Sequence, residues 1–365
     1  MMPGAPRFYI PQLDGLRFLA FLAVFVGHAV PAASYLGASF GVNVFFVLSS
    51  YLITSLLVRE ADAAGRIDVP AFWIRRALRI WPLYFGFLFA NAILWGMPAR
   101  VLVAFSLFAG NWVVPFWEHG PGPISHLWSV SVEEQFYLAW PLVLAVLPRR
   151  LLRPACFLLM AVAVVGRYAL YLAGFDVGAV WLNSLAQLDA IGVGALVALT
   201  PRLSLSPMWR GVLGVGASLA VVALARVLWH WLLVQAPGDQ LIYVAAPAAT
   251  SFAFLGVDVA CGCLLMAVLA GSAWLAMPPF TYLGRISYGL YVFHQAVIRL
   301  VGDLWWPWRL PMAFVLTVVV AAVSYRYLEL PFLRLKSRFE LIASGAQLSS
   351  RTFVATLFRP SDPAL

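Results

Sequence analysis

The sequence predicts an all-α polytopic integral membrane protein with about ten transmembrane helices, both termini in the cytoplasm, and a re-entrant candidate near residues 100–116. Three observations support this fold class. Hydrophobic residues make up 63% of the 365 residues and charged residues only 11%, against about 25% charged in an ordinary soluble protein. Apolar runs of membrane-spanning length recur along the chain, and basic residues gather in alternate connections. Such a composition excludes both a soluble globule and a disordered chain.

Ten apolar runs approach the length of a membrane-spanning helix, which takes roughly 20 residues. They lie at 14–31, 41–58, 79–98, 127–147, 154–173, 180–199, 211–232, 245–270, 282–302 and 310–330. The additional run at 100–116 is shorter, and Gly110, Asn111 and Pro115 interrupt it. The first run could instead be a signal peptide, because Val30-Pro31-Ala32 resembles a cleavage site, but ionisable residues at its edge and inside it argue against this.

Basic residues decide the orientation of these runs. With the N-terminus inside and 100–116 not crossing, the inner loops receive most of the Lys and Arg residues, and the outer loops receive only Arg100 and Arg309. If 100–116 crossed, the cluster of Arg149, Arg150 and Arg153 would face outward, against the positive-inside rule. The same rule accounts for the net charge of +9, so no nucleic-acid partner is predicted.

One membrane domain is predicted for residues 1–338, followed by a cytoplasmic tail over 339–365. The basic run at 332–339 is either a helix on the inner leaflet or a set of positive-inside anchors. The three cysteines lie in apolar runs without zinc-ligand spacing, so neither a metal site nor a disulfide is predicted. The oligomeric state does not follow from the sequence.

Ionisable residues at bilayer depth are costly and usually functional, which makes them the most informative positions. In the first run, Arg17 lies near the inner end and His28 near the outer end. Eleven residues at 100° each return to nearly the same helix face, and at 1.5 Å each they span roughly 16 Å. The first helix therefore carries a cation and an imidazole along one line.

Arg76 and Arg79 lie three residues apart at the inner end of the third run, so they are neighbours on one helix face. Two guanidinium groups in that arrangement suit phosphate groups. Arginines at the cytoplasmic end of a membrane span are also expected from the positive-inside rule alone. The sequence leaves both interpretations open.

Glu133 and Glu134 lie about two turns into the fourth run and should face protein or a wet cavity. They could equally form a buried salt bridge with Arg167 or Arg299, which lie at similar depths. His126, just before this run, is interpreted as an ordinary solvated loop histidine. Further polar residues at depth are Asp189, Asp258, Tyr288, Tyr291 and His294. The pattern indicates an anion site inside and acid–base residues outside.

Several of these residues stand in motifs that resemble acyltransferase family 3, whose members include bacterial O-antigen, exopolysaccharide and nodulation-factor O-acetylases. The resemblance covers about residues 8–338. It rests on six motifs in the family's order: Leu13-Asp14-Gly15-Leu16-Arg17 with His28, the run 41–54, Arg76-Ala77-Leu78-Arg79, the run 127–137, the run 283–291 with His294, and Glu329 with Pro331. The run 41–54 departs from the family with Asn43 where Asp is common and with Ser50-Tyr51 where Gly-Phe is usual.

The resemblance implies an acyl-CoA donor, by default acetyl-CoA, on the cytoplasmic side of a bacterial inner membrane. The acceptor implied is a saccharide hydroxyl at the outer face: a surface polysaccharide, lipid-linked glycan or glycoconjugate. It also implies that His28 is catalytic and that Arg76 and Arg79 engage the donor; we add Arg17 to this group. No bound cofactor is predicted. Some family members carry an esterase-like domain after the membrane part, and this chain is expected to act without one or with a partner.

A hydroxyl nucleophile needs a base within hydrogen-bond reach. We predict that His28 is that base and that Glu133 or Glu134 orients its ring or holds its developing charge. Candidate oxyanion or substrate contacts are Trp128, Asp189, Tyr288, Tyr291 and His294. One-step transfer and an acyl-His28 intermediate both remain open. The rival functions are a transporter or flippase of a lipid-linked glycan, since intramembrane charges fit that too, and a non-catalytic assembly factor.

Overall fold

The computed structural model describes residues 7–30, 39–116, 122–200, 206, 208–209, 211–219, 247–302 and 306–344. The helices are α1 (Pro11–Ala29), α2 (Ser39–Ala64), α3 (Val69–Trp95), α4 (Ala99–Ser106), α5 (Gly110–Val113), α6 (Trp128–Val146), α7 (Arg149–Leu172), α8 (Val177–Leu182), α9 (Leu188–Leu199), α10 (Pro247–Leu269), α11 (Pro278–Arg285), α12 (Ser287–Leu300), α13 (Trp306–Ser324) and α14 (Leu330–Lys336). A π-helical turn, Tyr325–Glu329, joins the last two. The described elements also include strands β1 (Arg7–Phe8) and β2 (Ala343–Ser344), together with short 3-10 helices at Val114–Phe116, Gly122–Leu127, Ser184–Gln187, Ala273–Ala276 and Ser337–Phe339.

Six helices in the described ranges are long and apolar enough to cross a membrane. They are Pro11–Ala29, Ser39–Ala64, Val69–Trp95, Arg149–Leu172, Thr250–Leu269 and Trp308–Phe339. The protein is therefore a helical multi-pass membrane protein, as the composition predicts. The count of ten spans stays a prediction, and most of the run at 211–232 lies outside the described residues.

In the described part of the chain, two of the ten predicted spans are not continuous helices, and the run at 100–116, predicted not to cross the membrane, contains only short helices. The run at 282–302 is divided at Ile286 into α11 and α12. The run at 180–199 contains the 12-residue α9 behind a 3-10 turn. In the run at 100–116 the longest helix, α4, has eight residues and a length of about 12 Å, too short for a bilayer core of about 30 Å. Hydropathy alone does not register such breaks, because the backbone bends while the side chains stay apolar.

The break at Ile286 frees a backbone carbonyl oxygen at the end of α11 for a contact with α3. The last carbonyls of a helix have no partner inside it, and the carbonyl oxygen of Arg285, at the end of α11, accepts a hydrogen bond from Arg79 Nη2 at 3.3 Å. Gly284 also lets α11 lie directly against α1, because a Cβ at this position would stand 1.9 Å from the carbonyl oxygen of Asp14. A larger residue at position 284 would force α11 away from α1.

The core surrounds α2, which packs against α1, α6, α9 and α10. Helix α1 is deeply embedded as well, with Phe21, Val24 and Phe25 buried. At Gly194 of α9 an added Cβ would lie 2.1 Å from the carbonyl oxygen of Val47, so only glycine allows α2 and α9 to approach this closely. Tight packing of this kind is how helices associate where lipid and protein are equally apolar.

Strands β1 and β2 pair in parallel, with Arg7 opposite Ala343 and Phe8 opposite Ser344. Arg75, only 3% exposed, ties the same region to α2 and α3. Its guanidinium donates to Glu60 Oε2 at 3.0 Å and to the carbonyl oxygen of Phe339 at 2.8 Å. The segment before α1 and the segment after α14 therefore lie side by side.

Candidate active site

A cavity of about 100 Å³ lies between α1, α2, α3, α6 and α12. Three of its wall residues are arginines, Arg17, Arg76 and Arg79, and the polar remainder are Ser49, Ser129, Glu133, Tyr137, Ser287, Tyr288 and Tyr291. The order of these residues along the helices distinguishes two ends of the cavity. Arg76 lies 5.5 Å from the ring of Tyr137 at one end, and Ser129, two turns earlier on α6, contacts Tyr291 at the other.

The three arginines differ in how firmly they are held. Arg17 donates to Asp14 Oδ1 at 3.2 Å, and Asp14 also accepts from the Tyr9 hydroxyl at 3.0 Å. Burial, aided by the Asp14 carboxylate, raises the pKa of Tyr9 to about 12, so its phenol stays protonated and remains a donor. Arg79 lies 3.8 Å from Glu329 Oε2. Within the described part of the chain, Arg76 has no carboxylate within 4 Å, and aromatic rings flank it.

The carboxylate of Glu133 lies between the two ends of the cavity. Its Oε1 accepts a hydrogen bond from the Ser49 hydroxyl at 2.8 Å, and the Tyr137 hydroxyl donates to the same serine oxygen at 3.3 Å. Among the described residues, the cavity therefore contains one carboxyl group, that of Glu133, together with several hydroxyl groups.

Three histidine rings form a cluster next to Tyr291. His294 Nε2 lies 2.9 Å from His28 Nδ1, and His294 Nδ1 lies 2.5 Å from the carbonyl oxygen of Tyr291. The ring of His126 stands edge-on to His294, with centroids 4.8 Å apart. His126 Nε2 is 3.1 Å from the carbonyl oxygen of Val292. His294 is fully buried, whereas His28 is exposed near the end of α1.

A protein-family model described as an acyltransferase domain, that of acyltransferase family 3, matches residues 10–327. The chain belongs to this family. O-acetyltransferase OatA of Staphylococcus aureus strain MRSA252 is 29% identical over 389 residues, which cover 98% of this chain and 63% of the relative. OatA of strain NCTC 8325 / PS 47 is 29% identical over 357 residues, covering 90% and 57%. The chain thus spans about six-tenths of the length of these relatives. No solved structure matches.

Membership of acyltransferase family 3 confirms the resemblance found in the motifs. The structure brings five of the six motifs together: the first-helix Arg17 and His28, the run 41–54 through wall residues such as Ser49, the pair Arg76 and Arg79, the carboxylate motif on α6, and the α12 motif with Tyr291 and His294. Residues far apart in the sequence therefore meet at one cavity and one histidine cluster.

The expected contact between His28 and a glutamate does not occur in the described structure. Glu133 accepts from Ser49, Glu134 Oε2 accepts from Trp81 Nε1 at 3.0 Å, and His28 contacts His294 instead. Glu134 points away from the cavity because adjacent helical residues differ by about 100° in direction. The catalytic roles of both carboxylates remain predictions.

Other predicted site residues lie outside the cavity walls. Trp128 is buried between Phe46 and Trp181, at centroid distances of 6.1 and 6.0 Å. Asp189 forms a buried ion pair with Arg167, whose Nη1 lies 3.1 Å from Asp189 Oδ1. Arg167 also donates to backbone carbonyls of Ala186 and Ser251. The suggestion that Arg167 pairs with Glu133 or Glu134 is thus wrong, since its partner is Asp189.

Replacing Arg167 or Asp189 alone by alanine is expected to lower the free energy of unfolding by about 3–5 kcal/mol, because the remaining charge is buried without its partner. The double variant Arg167→Met with Asp189→Leu should cost less than either single variant. Thermal unfolding of the purified protein in detergent measures this. If Asp189→Ala kept wild-type stability and lost activity, Asp189 would be a substrate contact and its structural role would be minor.

Sequence reasoning missed His126 in the histidine cluster and the cavity residues Ser49, Ser129, Tyr137 and Ser287. The expectation that His126 is solvated is wrong, because it is only 2% exposed. Ile124 and Leu127, its close neighbours in the chain, are buried as well, and this apolar context was a usable signal. Ser49 stands in the run 41–54 that resembles the family, but nothing in the sequence singles it out there, because its contact with Glu133 depends on α6 lying opposite α2.

Proposed function

We propose that this protein is an O-acyltransferase that moves an acetyl group from cytoplasmic acetyl-CoA to a saccharide hydroxyl at the outer side of the membrane. One observation carries the proposal: a single cavity has three arginines near one end and, near the other, Tyr291, whose carbonyl oxygen contacts the His294–His28 pair. An anion site and a proton acceptor are the two groups that transfer from a phosphate-bearing thioester requires.

The arginines are proposed to hold the phosphates of CoA. Guanidinium groups bind phosphate oxygens through paired N–H donors. Arg76 is the best placed of the three, since aromatic rings flank it and no carboxylate competes for it within 4 Å among the described residues. Arg17 and His28 lie on the same helix about 16 Å apart along its axis. An extended pantetheine arm is suited to reach from the arginines towards the histidines.

In the proposed reaction, a ring nitrogen of His28 removes the proton from the acceptor hydroxyl while its oxygen attacks the thioester carbonyl carbon. The C–O bond forms, the C–S bond breaks, and the leaving CoA sulfur takes the proton from His28. The products are the acetyl ester and CoA thiol. Transfer through an acetyl-His28 intermediate remains the alternative route.

The oxyanion of this reaction needs hydrogen-bond donors. Tyr291 already donates to the carbonyl oxygen of His126 at 2.9 Å, and Tyr288 donates to that of Ile80 at 3.0 Å. Either hydroxyl would have to turn from its present acceptor to serve the oxyanion. Trp128 is the third candidate donor to the oxyanion, through its indole N–H.

For the topology, we propose ten spans, including parts outside the described residues, with both termini in the cytoplasm of a bacterial cell. The pairing of β1 with β2 supports an even number of crossings, because it places the segments before α1 and after α14 side by side. Arg149, Arg150 and Arg153 at the start of α7 support a cytoplasmic position for that end. In this topology the end of the cavity that carries the arginines faces the cytoplasm, where acyl-CoA is present.

The alternative is a transporter or flippase of a lipid-linked glycan that performs no acyl transfer. Buried charges alone would fit it. The relatives' printed names, O-acetyltransferase, favour transfer instead.

Deletion of the gene tests the proposed function. We expect the surface polysaccharide of the deletion strain to lose base-labile acetyl groups, detected as a mass difference per repeating unit, and a plasmid copy to restore them. Purified full-length protein in vesicles should also transfer label from [¹⁴C]acetyl-CoA to saccharide extracted from the deletion strain. If the glycan were unchanged and pure protein transferred no label, the flippase or assembly role would replace ours.

A further inference from the structure

We propose that His294 is a positioning residue that fixes the tautomer of His28, so that the His28 Nε2 lone pair faces the acceptor hydroxyl. This inference rests on the proposed function, since it assigns a role in the same proton transfer. It is carried by the hydrogen-bond chain from the Tyr291 carbonyl through His294 to His28.

The first step concerns His294. Its Nδ1 lies 2.5 Å from the backbone carbonyl oxygen of Tyr291, three residues earlier on α12. A carbonyl oxygen can only accept a hydrogen bond, so Nδ1 carries the hydrogen and donates it. In a neutral imidazole only one nitrogen is protonated. His294 Nε2 is therefore an acceptor.

The second step concerns His28. Its Nδ1 is 2.9 Å from His294 Nε2. Because His294 Nε2 accepts, His28 Nδ1 must be the protonated donor. The lone pair of the His28 ring is then on Nε2, the nitrogen that is not engaged with His294. His28 is exposed near the end of α1, where an acceptor hydroxyl can approach this nitrogen.

The third step explains why His294 stays neutral. The residue is fully buried. The rings of His28 and His126 lie around it at centroid distances of 5.0 and 4.8 Å, and in the described part of the chain no carboxylate lies within 4 Å. A buried cation without a counter-charge is strongly disfavoured. His126 Nε2 faces the carbonyl oxygen of Val292 at 3.1 Å, so His126 too is occupied as a donor.

The arrangement differs from a Ser-His-Asp triad, in which a carboxylate orients the histidine and stabilises its protonated form. Here a neutral imidazole orients the ring. When His28 takes the hydroxyl proton on Nε2, its Nδ1–H keeps donating to His294. The proton on Nε2 is then transferred to the CoA sulfur, which restores neutral His28. No proton passes through His294.

The test compares three variants of the full-length protein: His294→Phe, which removes the acceptor, His294→Gln, whose amide oxygen can replace it, and Thr317→Val, a control that removes a buried hydrogen-bonding group outside the cavity and the histidine cluster. In complemented deletion cells, we expect His294→Phe to lower acetylation by about 10²-fold and His294→Gln by less than about 10-fold. Thr317→Val should lower the amount of folded protein only slightly, since it removes one buried hydrogen bond, and should leave the activity per folded molecule near that of the wild type. The dissociation constant for acetyl-CoA should be the same in all of them.

A measurement independent of activity is the ¹⁵N NMR spectrum of histidine-labelled protein in liposomes, with the His28 signal identified from a His28→Asn variant. We expect Nδ1 of His28 to be protonated in the wild type and in His294→Gln, and Nε2 to be protonated in His294→Phe. Protonated Nε2 in the wild type, or equal activity loss in the Phe and Gln variants, would overturn the inference. The expected spectrum with no acetyl transfer by the wild type would overturn the proposed function and still support the ring assignment.

Discussion

His28→Ala is expected to lower the rate of acetyl transfer by about 10²–10⁴-fold, the usual contribution of a general base. The variant should fold, because His28 is an exposed side chain near the end of α1 whose partner is His294. Acetyl-CoA should bind as in the wild type, since the donor arginines are about 16 Å away along the helix. The loss should therefore appear in kcat and leave KM for the donor nearly unchanged.

The measurement is transfer of label from [¹⁴C]acetyl-CoA by purified protein, normalised to the folded fraction from size-exclusion chromatography. Incubation of the wild type with the donor alone separates the two routes, because an acetyl-His28 intermediate would give a labelled peptide containing that residue. Transfer at the wild-type rate by a folded His28→Ala protein would contradict the assignment of the base.

Replacing Arg76 and Arg79 by alanine is expected to weaken acetyl-CoA binding by more than about 10-fold, because each charge-assisted hydrogen bond to a phosphate contributes about 1.5–3 kcal/mol. The two single variants should differ. Arg76→Ala should lose donor affinity at little cost in stability, since its described contacts are ring contacts with Phe72 and Tyr137.

Arg79→Ala should lose stability as well as affinity. Arg79 lies 3.8 Å from Glu329, whose side chain is only 2% exposed, and its removal leaves this carboxylate buried without a cation. Adding Glu329→Gln to Arg79→Ala should restore stability and leave the affinity low. Arg149→Ala is a matched control, because this arginine forms an exposed pair with Asp62 and should affect neither property. Unchanged donor affinity in the folded double variant Arg76→Ala/Arg79→Ala would mean that these residues do not bind CoA.

Helix positions were predictable where a run was continuous and apolar. The runs predicted at 14–31 and 154–173 correspond to α1 and α7 within about five residues at each end. The face shared by Arg76 and Arg79 followed from helical spacing, and both residues line the cavity. The break at Ile286 was not predictable from hydropathy, because Gly284 and the close approach of α1 act through backbone contacts between helices.

Partners were harder to predict than positions. Glu133 was identified as important from its depth, but its partner Ser49 lies 84 residues earlier in the chain. His28 was expected to contact a glutamate, and its observed partner, His294, is 266 residues away. Hydrophobic periodicity describes one helix at a time. It carries no information on which helices are neighbours or on their rotation about their axes.

By itself the sequence determined the membrane setting, the helical class, the family and the positions where ionisable groups stand in apolar runs. These properties depend on local composition and spacing, because the free-energy cost of an ionisable side chain in lipid is set by its own position along the helix. Only the tertiary structure decided which of those groups meet: Asp189 with Arg167, Arg79 with Glu329, and His28 with His294. Pairing is a property of helix packing, in which a rotation of one helix by a single residue, about 100°, turns a side chain from the cavity to another neighbour.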